Sequence, residues 1–271
     1  MEDNTKVVYQ SKYGESLDIS DYFLAVSDIS FSQSLSAKSF FSQSQVNIYE
    51  VNPNYVYLNG KITSKVTNYI KESENTYDIS DTPIFYLTGS IGSQFGKSLS
   101  ISNNYLAVGA PSDNNGRGSV YLYKNNDNVY ELVTILSSSV TSDPYQSGFG
   151  FSVSIDKYSE TNLLVGSNQI SASKVFLFTS GSGGWRIKQR FSNITGSEYL
   201  KIEGFDYELY PSGSLSESQK NNRFGYSVSI NKDTLVIGSP NDLLYYEYSG
   251  STTLRQRGAA YIYENNQCPT G

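Results

Sequence analysis

The stretch "FGKSLSISNNYLAVGAP", residues 95–111, decides the fold, because the chain nearly repeats it. Residues 149 onward read "FGFSVSIDKYSETNLLVGS", and residues 224 onward read "FGYSVSINKDTLVIGSP". A more divergent copy, "YGESLDISDYFLAVSD", begins at Tyr13. Repetition at a spacing of tens of residues indicates a repeat architecture in which each copy forms one structural unit.

Each copy predicts four short strands. In the copy that begins at residue 95, polar turns separate four strand-like segments, which are 95–101, 105–111, 119–123 and 129–136. Short strands joined by hairpin turns form an antiparallel sheet. No helical periodicity of any length competes with this interpretation.

The third strands indicate how the sheets pack. They are apolar on both faces, so we expect both sides of each sheet to be covered. Their sequences are "VNIY" (46–49), "VYLY" (120–123), "VFLF" (175–178) and "AYIY" (260–263). Four sheets that cover one another suggest radial packing, as in an all-β propeller of four-stranded antiparallel blades.

The repeated small and aromatic residues are predicted to be scaffold rather than site. Small residues permit close backbone approach where blades converge, and the aromatic residues fill the wedge between blades. The positions assigned to this motif are Phe95, Gly96, Gly109, Ala110, Pro111, Phe149, Gly150, Gly166, Phe224, Gly225, Gly238 and Pro240, with Tyr13 as the aromatic anchor of the first copy.

The pattern "FG…SVSI…GAP…GSVYLY" resembles the FG-GAP repeat of integrin α-subunit propellers and of many bacterial and viral surface proteins. The copy at 95 follows it almost throughout, and the copies at 149 and 224 follow it nearly as well. The copy at 13 keeps "YG", "LAV" and "VNIY" but has no Gly-Ala-Pro. The resemblance implies a propeller, and a fold alone names no ligand.

The repeat spacing predicts one β-propeller domain over residues 1–271, with insertions at 50–92, 193–222 and 242–258. The last copy ends after its third strand. Residues 5–11, "TKVVYQS", are a candidate for its fourth strand, which would close a four-bladed ring and remove an exposed edge. The alternative is a sector of a larger propeller, because relatives of this family more often have seven blades.

Composition excludes several classes of function. The chain has no His and a single Cys, Cys268, so Ser-His-Asp and Cys-His catalysis and an internal disulfide are excluded. A net charge of −6 argues against nucleic acid as a partner. No stretch is long and apolar enough to cross a membrane, and from the polar first residues we expect no signal peptide.

No cofactor is predicted, and calcium is the less favoured alternative. Calcium-binding relatives carry D-x-[DN]-x-D-G-x-x-D between the first two strands of a blade. Only the third hairpin, residues 156–162, has the length, and it offers Asp156 and Glu160 as weak ligand candidates. Tyr158 stands where a ligand is expected, and the hairpin has no central Gly.

The loops are the predicted place for a binding site. The insertion 242–258 contains Tyr245, Tyr246 and Tyr248, and Tyr offers large contact area with a hydrogen-bonding group. Additional candidates are Tyr199 and Tyr207 in the insertion 193–222 and Asp113 in the acidic loop 112–116. The competing interpretation is that these residues extend strands, cover a sheet edge or form turns.

These observations predict a non-enzymatic adhesion or interaction module that recognises a glycan or a protein receptor through loops on the propeller face. The setting expected is a virion surface or a cell surface. One alternative is a structural subunit whose partners are neighbouring subunits of a larger assembly. Another is a glycan-processing propeller enzyme, which would need paired carboxylates facing the axis.

Overall fold

The computed structural model describes the repeat segments of the chain, namely residues 7–34, 40–41, 44–52, 78–79, 84–138, 148–167, 174–192, 223–241, 243–248, 251–256 and 258–264. These residues form antiparallel sheets and one single-turn helix, α1 (Asp113–Gly116). The predicted all-β class and the four blades in a propeller arrangement are confirmed.

Each repeat builds one sheet. The first blade contains β1 (Val7–Ile19), β2 (Phe23–Ser34), β4 (Gln45–Asn52) and β6 (Phe85–Thr88), with the two-residue strands β3 (Phe40–Phe41) and β5 (Asp78–Ile79) beside them. The second contains β7 (Ser98–Ile101), β8 (Tyr105–Ala110), β9 (Ser119–Asn126) and β10 (Val129–Leu136). The third contains β11 (Phe149–Ile155), β12 (Asn162–Ser167), β13 (Lys174–Gly181) and β14 (Gly184–Ser192).

The fourth blade differs from the second and third. Its described strands are β15 (Ser227–Asn231), β16 (Thr234–Ser239) and β19 (Ala259–Glu264), paired in that order. A separate two-stranded hairpin, formed by β17 (Leu243–Tyr248) and β18 (Ser251–Gln256), is inserted between β16 and β19. We call this insertion the Tyr hairpin.

Local sequence explains where the strands end. Between β9 and β10 the two turn residues, Asp127 and Asn128, have positive φ angles of 50° and 68°. Positive φ at both central residues is the signature of a type I′ turn, whose twist matches that of the flanking strands, and Asp and Asn tolerate this conformation. The outer strand β10 therefore covers the same residues that the sequence predicts.

The aromatic residue of each FG pair fills the space between blades. Phe95, Phe149 and Phe224 are each 0% exposed. Each ring meets an aromatic residue of the third strand in its own blade edge-to-face, and the centroid distances are 5.2 Å for Phe95–Tyr121, 5.3 Å for Phe149–Phe176 and 5.3 Å for Phe224–Tyr261. Three apolar clusters, one at each successive blade interface, contain these rings.

Serine hydroxyls and glycines join neighbouring blades at short range. Ser98 Oγ donates to the Gly150 carbonyl at 2.8 Å, and one repeat later Ser152 Oγ donates to the Gly225 carbonyl at 2.8 Å. A Cβ placed on Gly109 would lie 2.0 Å from the Gly150 oxygen. Because no side chain fits there, glycine is required where the second strand of one blade meets the next blade.

The remaining motif positions lie in the same region. The glycines of the FG pairs at 96, 150 and 225 have φ of 88°, 87° and 88°, a conformation that favours glycine. Ala110 is fully buried, Pro111 is buried and Pro240 is exposed. Gly166 and Gly238 lie in second strands at the positions equivalent to Gly109.

The outward faces of the first and last blades are uncovered by described residues. Leu17 and Ile19 are 57% and 46% exposed, whereas their counterparts in the second blade, Leu99 and Ile101, are 7% and 0% exposed. Tyr13 is also 37% exposed, so it does not fill a wedge as the phenylalanines do. In the last blade Ile262 is 63% exposed.

The predicted closing strand is corrected by the structure. Residues 7–11 pair with residues 30–34 of β2, and the strand that pairs with β19 is β16. The physical reason is local: β1 and β2 are joined by the turn at residues 20–22, so pairing extends outward from that turn without closing a further loop. Pairing with β19 would instead join segments about 250 residues apart.

Candidate functional site

The residue after each FG or YG pair lies next to the propeller axis. The first strand of each blade is the innermost, because β1 lies against β7 and β11 lies against β7 and β15. Glu15, Lys97, Phe151 and Tyr226 occupy the equivalent position, directly after the FG or YG pair of each blade. We call these four residues the axial cluster.

The axial cluster forms a continuous series of contacts, with one residue from each blade. Lys97 Nζ donates to Glu15 Oε1 at 2.5 Å and lies 5.7 Å from the centre of the Phe151 ring. The Phe151 and Tyr226 rings are 5.2 Å apart and inclined at 50°. The guanidinium of Arg223 lies 5.9 Å from the Tyr226 ring. The cluster therefore places an ion pair beside two adjoining aromatic rings.

The electrostatics of the cluster are those of an accessible site. The hydrogen bond from Lys97 holds the pKa of the Glu15 carboxyl below its ordinary value, although partial burial opposes this effect. The two side chains are 26% and 28% exposed, and Tyr226 is 41% exposed. A partly exposed ion pair contributes at most about 1 kcal/mol to stability. Its groups remain available to a ligand.

We call the end of the propeller that carries the FG pairs the FG end. The second strand of each blade ends there and the third begins there, since Ser98 pairs with Gly109 and Ala110 pairs with Ser119. In the last blade Ser227 pairs with Gly238 and Ser239 with Ala259, so the Tyr hairpin emerges at the same end.

The sequence-predicted binding residues are distributed as follows. Tyr245, Tyr246 and Tyr248 lie in β17 of the Tyr hairpin, and their side chains lie outside what the structure describes. Tyr199 and Tyr207 lie outside the described residues altogether.

Asp113 lies in α1, in the loop between β8 and β9 at the FG end. It accepts a hydrogen bond from the hydroxyl of Tyr121 at 2.8 Å. Burial, and then this bond, raise the pKa of Tyr121 above its ordinary value. Asp113 thus fixes the ring that packs on Phe95, which is a structural use of its carboxylate.

The carboxylates considered as calcium ligands lie at the opposite end of the propeller, on the turns between first and second strands. Asp156 is 1% exposed and accepts hydrogen bonds from the Ser159 hydroxyl and, across the blade interface, from the backbone N–H of Lys232 at 3.1 Å. Burial alone would raise the pKa of Asp156, but these hydrogen bonds outweigh it and lower the pKa.

Glu160 is used in a similar way. It accepts hydrogen bonds from the backbone N–H and the side-chain amide of Asn104 in the preceding blade. Among the residues that the structure describes, no three Asp, Glu or Cys side chains come together as a metal site. Asp156 and Glu160 therefore act as ties between blades in this structure.

Lys157 adds a link between the first and third blades at this end. Its Nζ donates to Asp18 Oδ1 at 2.7 Å and to the Ile19 carbonyl at 2.8 Å. The other oxygen of Asp18 accepts the backbone N–H of Ile101 at 2.8 Å. One aspartate thus connects three consecutive blades.

Comparison with known families agrees with this architecture. A family model described as "FG-GAP repeat" matches residues 89–123 and 215–263, which include described strands of the second and fourth blades. These two segments are FG-GAP repeats, and with the four-blade arrangement they support an FG-GAP β-propeller. The copies at 13 and 149 lie outside the matched residues. Their strand order relates both to the other two, and the copy at 149 also shares the buried aromatic residue, Phe149. A search of curated proteins gives no match.

No helix among the described residues has the length and apolar character needed to cross a membrane.

Sequence reasoning on the FG-GAP repeats missed the axial cluster, although a signal was present. In "FG-x-S", the residues on both sides of x are nearly constant, whereas x is Glu, Lys, Phe and Tyr in the four copies. A variable position inside a constant motif is one where blades of the same fold can differ without loss of packing. Aligning the four copies would have brought these residues together.

Proposed function

We propose that this FG-GAP propeller is a non-enzymatic adhesion or interaction module, displayed on a virion or cell surface, that binds a glycan or protein partner through its FG end. The coarser statement, an FG-GAP propeller of the interaction or structural kind, rests on the fold and the family match. The surface setting is supported by the typical extracellular occurrence of such repeats.

The axial cluster is the observation that carries this proposal. Two adjoining aromatic rings offer a flat apolar surface, and the ion pair of Glu15 and Lys97 offers a hydrogen-bond acceptor and a donor next to it. Sugars and protein side chains that combine an apolar face with polar groups fit such a surface. The Tyr hairpin emerges at the same end, so both surfaces are available to one partner.

The same arrangement favours binding over catalysis. A glycosidase needs two carboxyl groups flanking the scissile bond, one of them protonated. The axial cluster offers one carboxylate, Glu15, and Lys97 keeps it ionised. Incubating the purified protein with a panel of chromogenic glycosides would contradict this part of the proposal if turnover were observed.

The experiment that tests recognition is binding of the purified chain to a glycan array and to candidate host cells. The test variant is the triple substitution Tyr245→Ala, Tyr246→Ala, Tyr248→Ala. The matched control is Tyr158→Ala, because Tyr158 is 73% exposed at the opposite end of the propeller. Saturable binding that the triple variant loses and the control keeps supports recognition through the FG end. Absence of binding by a folded, monodisperse chain contradicts it.

A structural subunit is the second candidate, and a separate observation favours it. Leu17, Ile19 and Ile262 are exposed on the outward faces of the first and last blades. Large apolar side chains exposed on the face of a sheet are characteristic of contacts between subunits. Light scattering at increasing protein concentration tests this candidate: stable oligomers that Leu17→Lys dissolves support it, and a monomer at all concentrations contradicts it.

A further inference from the structure

The outer side of the last blade differs from its counterparts in the chain. In the second and third blades a fourth strand pairs with the third, as β10 with β9 and β14 with β13. In the last blade, no described strand pairs with the outer side of β19. A strand in this position presents backbone N–H and C=O groups that another strand can pair with.

The fourth strands of the second and third blades also place an aromatic side chain on the preceding blade. Tyr130 of β10 packs edge-to-face on Phe23 of the first blade, with centroids 5.8 Å apart. Trp185 of β14 packs in the same way on Tyr105 of the second blade, at 5.7 Å. The two contacts are equivalent, since Tyr130 pairs with Asn125 of β9, and Trp185 with the corresponding Ser180 of β13.

At the third interface no described residue of the last blade makes this aromatic contact, and a cleft lies there. Asn162 is the first residue of the second strand in its blade, as Phe23 and Tyr105 are in theirs. It lines a cavity of about 170 Å³ between the third and fourth blades. The cavity thus occupies the place that the aromatic side chain of a fourth strand fills at the other two interfaces.

The lining of the cleft indicates what fits it. Its apolar part includes Phe191, Leu177 and Leu235, which belong to the cluster between these blades. Its rim is polar, and the rim residues are Asn162, Lys188, Gln189, Lys232, Asp233 and Glu264. An aromatic side chain with a hydrogen-bonding group, such as Tyr or Trp, matches a pocket with an apolar floor and a polar rim.

We propose that β19 and the adjoining cleft bind an extended segment of a partner polypeptide, which adds to the last blade as its fourth strand. The backbone of the segment pairs with β19, and one aromatic side chain enters the cleft beside Asn162. Main-chain pairing supplies affinity, and the cleft supplies selectivity for the aromatic residue. The cleft lies toward the end opposite the FG end, beside the turn at Lys232 and Asp233, so this site does not depend on the FG end.

The chain supplies its own probes for a test. One labelled peptide has the sequence of residues 184–192, "GWRIKQRFS", and a second that of residues 129–136, "VYELVTIL". Their net charges have opposite signs, so binding of both cannot result from bulk electrostatics. Peptide binding is followed by fluorescence anisotropy, and exchange of the outward-facing β19 amides by residue-resolved hydrogen exchange.

The expected result is saturable binding of both peptides with slower exchange of these β19 amides. Trp185→Ala in the first peptide, which leaves its charge unchanged, should weaken binding on the order of tenfold. In the protein, Asn162→Trp fills the cleft and should weaken binding to a similar degree. Val133→Trp is the matched control, because it adds the same side chain at an exposed position of β10, and it should bind normally.

Three results would overturn the proposal. The first is that neither peptide binds. The second is binding that leaves exchange in β19 unchanged. The third is slow exchange of the outward-facing β19 amides in the free protein, since another part of the chain would then already occupy the edge.

Discussion

The substitution Gly109→Ala tests the close contact between the second and third blades. A Cβ at this position would lie 2.0 Å from the Gly150 carbonyl oxygen and 2.2 Å from Ser98 Oγ, whereas ordinary contacts begin near 3.4 Å. The carbonyl oxygen would have to retreat by about 1.4 Å, and it belongs to the backbone of the neighbouring blade. The clash therefore cannot be relieved by rotating a side chain.

The magnitude follows from two contributions. Overpacking of a tight interior costs about 1–3 kcal/mol. Separating the blades also breaks the buried hydrogen bond from Ser98 Oγ to the Gly150 carbonyl, which costs a further 1–3 kcal/mol or so when a polar group is left unpaired. Together they lower the free energy of unfolding of Gly109→Ala by about 2–6 kcal/mol, measured by urea denaturation.

Gly183→Ala is the matched control. Gly183 lies in the turn between β13 and β14, where an added Cβ meets no atom within 4 Å. The free energy of unfolding of this variant should stay within about 0.5 kcal/mol of the parent. Equal stabilities for the two variants would refute the blade contact, because the predicted difference comes entirely from the neighbouring blade.

Three further substitutions test other parts of the account. Phe149→Ala removes a ring that is 0% exposed and should lower the free energy of unfolding by about 3–5 kcal/mol in urea denaturation. A decrease below about 1 kcal/mol would mean that the ring is not part of the core. The Asp156 carboxyl has a lowered pKa in the folded protein, so its ionised form stabilises the fold above the unfolded value near 3.8, and this contribution is lost as pH falls through the folded pKa. Asp156→Asn should therefore flatten the decline of stability on acidification, and an unchanged pH profile would contradict this. Lys97→Met should raise the Glu15 pKa in an NMR titration. Because the ion pair is partly exposed, the substitution should lower the free energy of unfolding by less than about 1 kcal/mol. An unchanged Glu15 pKa would show that the pair does not form in solution.

The blades could be predicted because their signals are local and repeated. Strand β10 covers residues 129–136, as its alternation and turn residues indicate. The FG phenylalanines recur with the same neighbours, so one correct interpretation extends to the other copies. The closing strand could not be predicted in this way, because residues 7–11 suit either partner and the short turn after β1 decides the pairing.

The candidate site was harder to predict because it is assembled from four distant positions. Glu15 and Lys97 are 82 residues apart and become neighbours only when the blades close around the axis. The high Tyr content of residues 242–258 predicted a site on the Tyr hairpin instead. The position of this hairpin at the FG end follows from strand pairing, which composition does not show. Asp156 was a candidate metal ligand because the sequence does not show which group its carboxylate binds. In the structure that group is the backbone N–H of Lys232 in the next blade.

The most direct test of the central claim, recognition through the FG end, is saturation binding of the labelled chain to the cells or glycans that retain it. Three proteins are compared: the parent chain, the double substitution Phe151→Ala and Tyr226→Ala, and Tyr158→Ala. The account predicts that the double variant folds normally and loses at least tenfold in affinity, while Tyr158→Ala binds as the parent does. Equal affinity of the folded double variant and the parent would contradict the claim that the axial cluster is the binding surface.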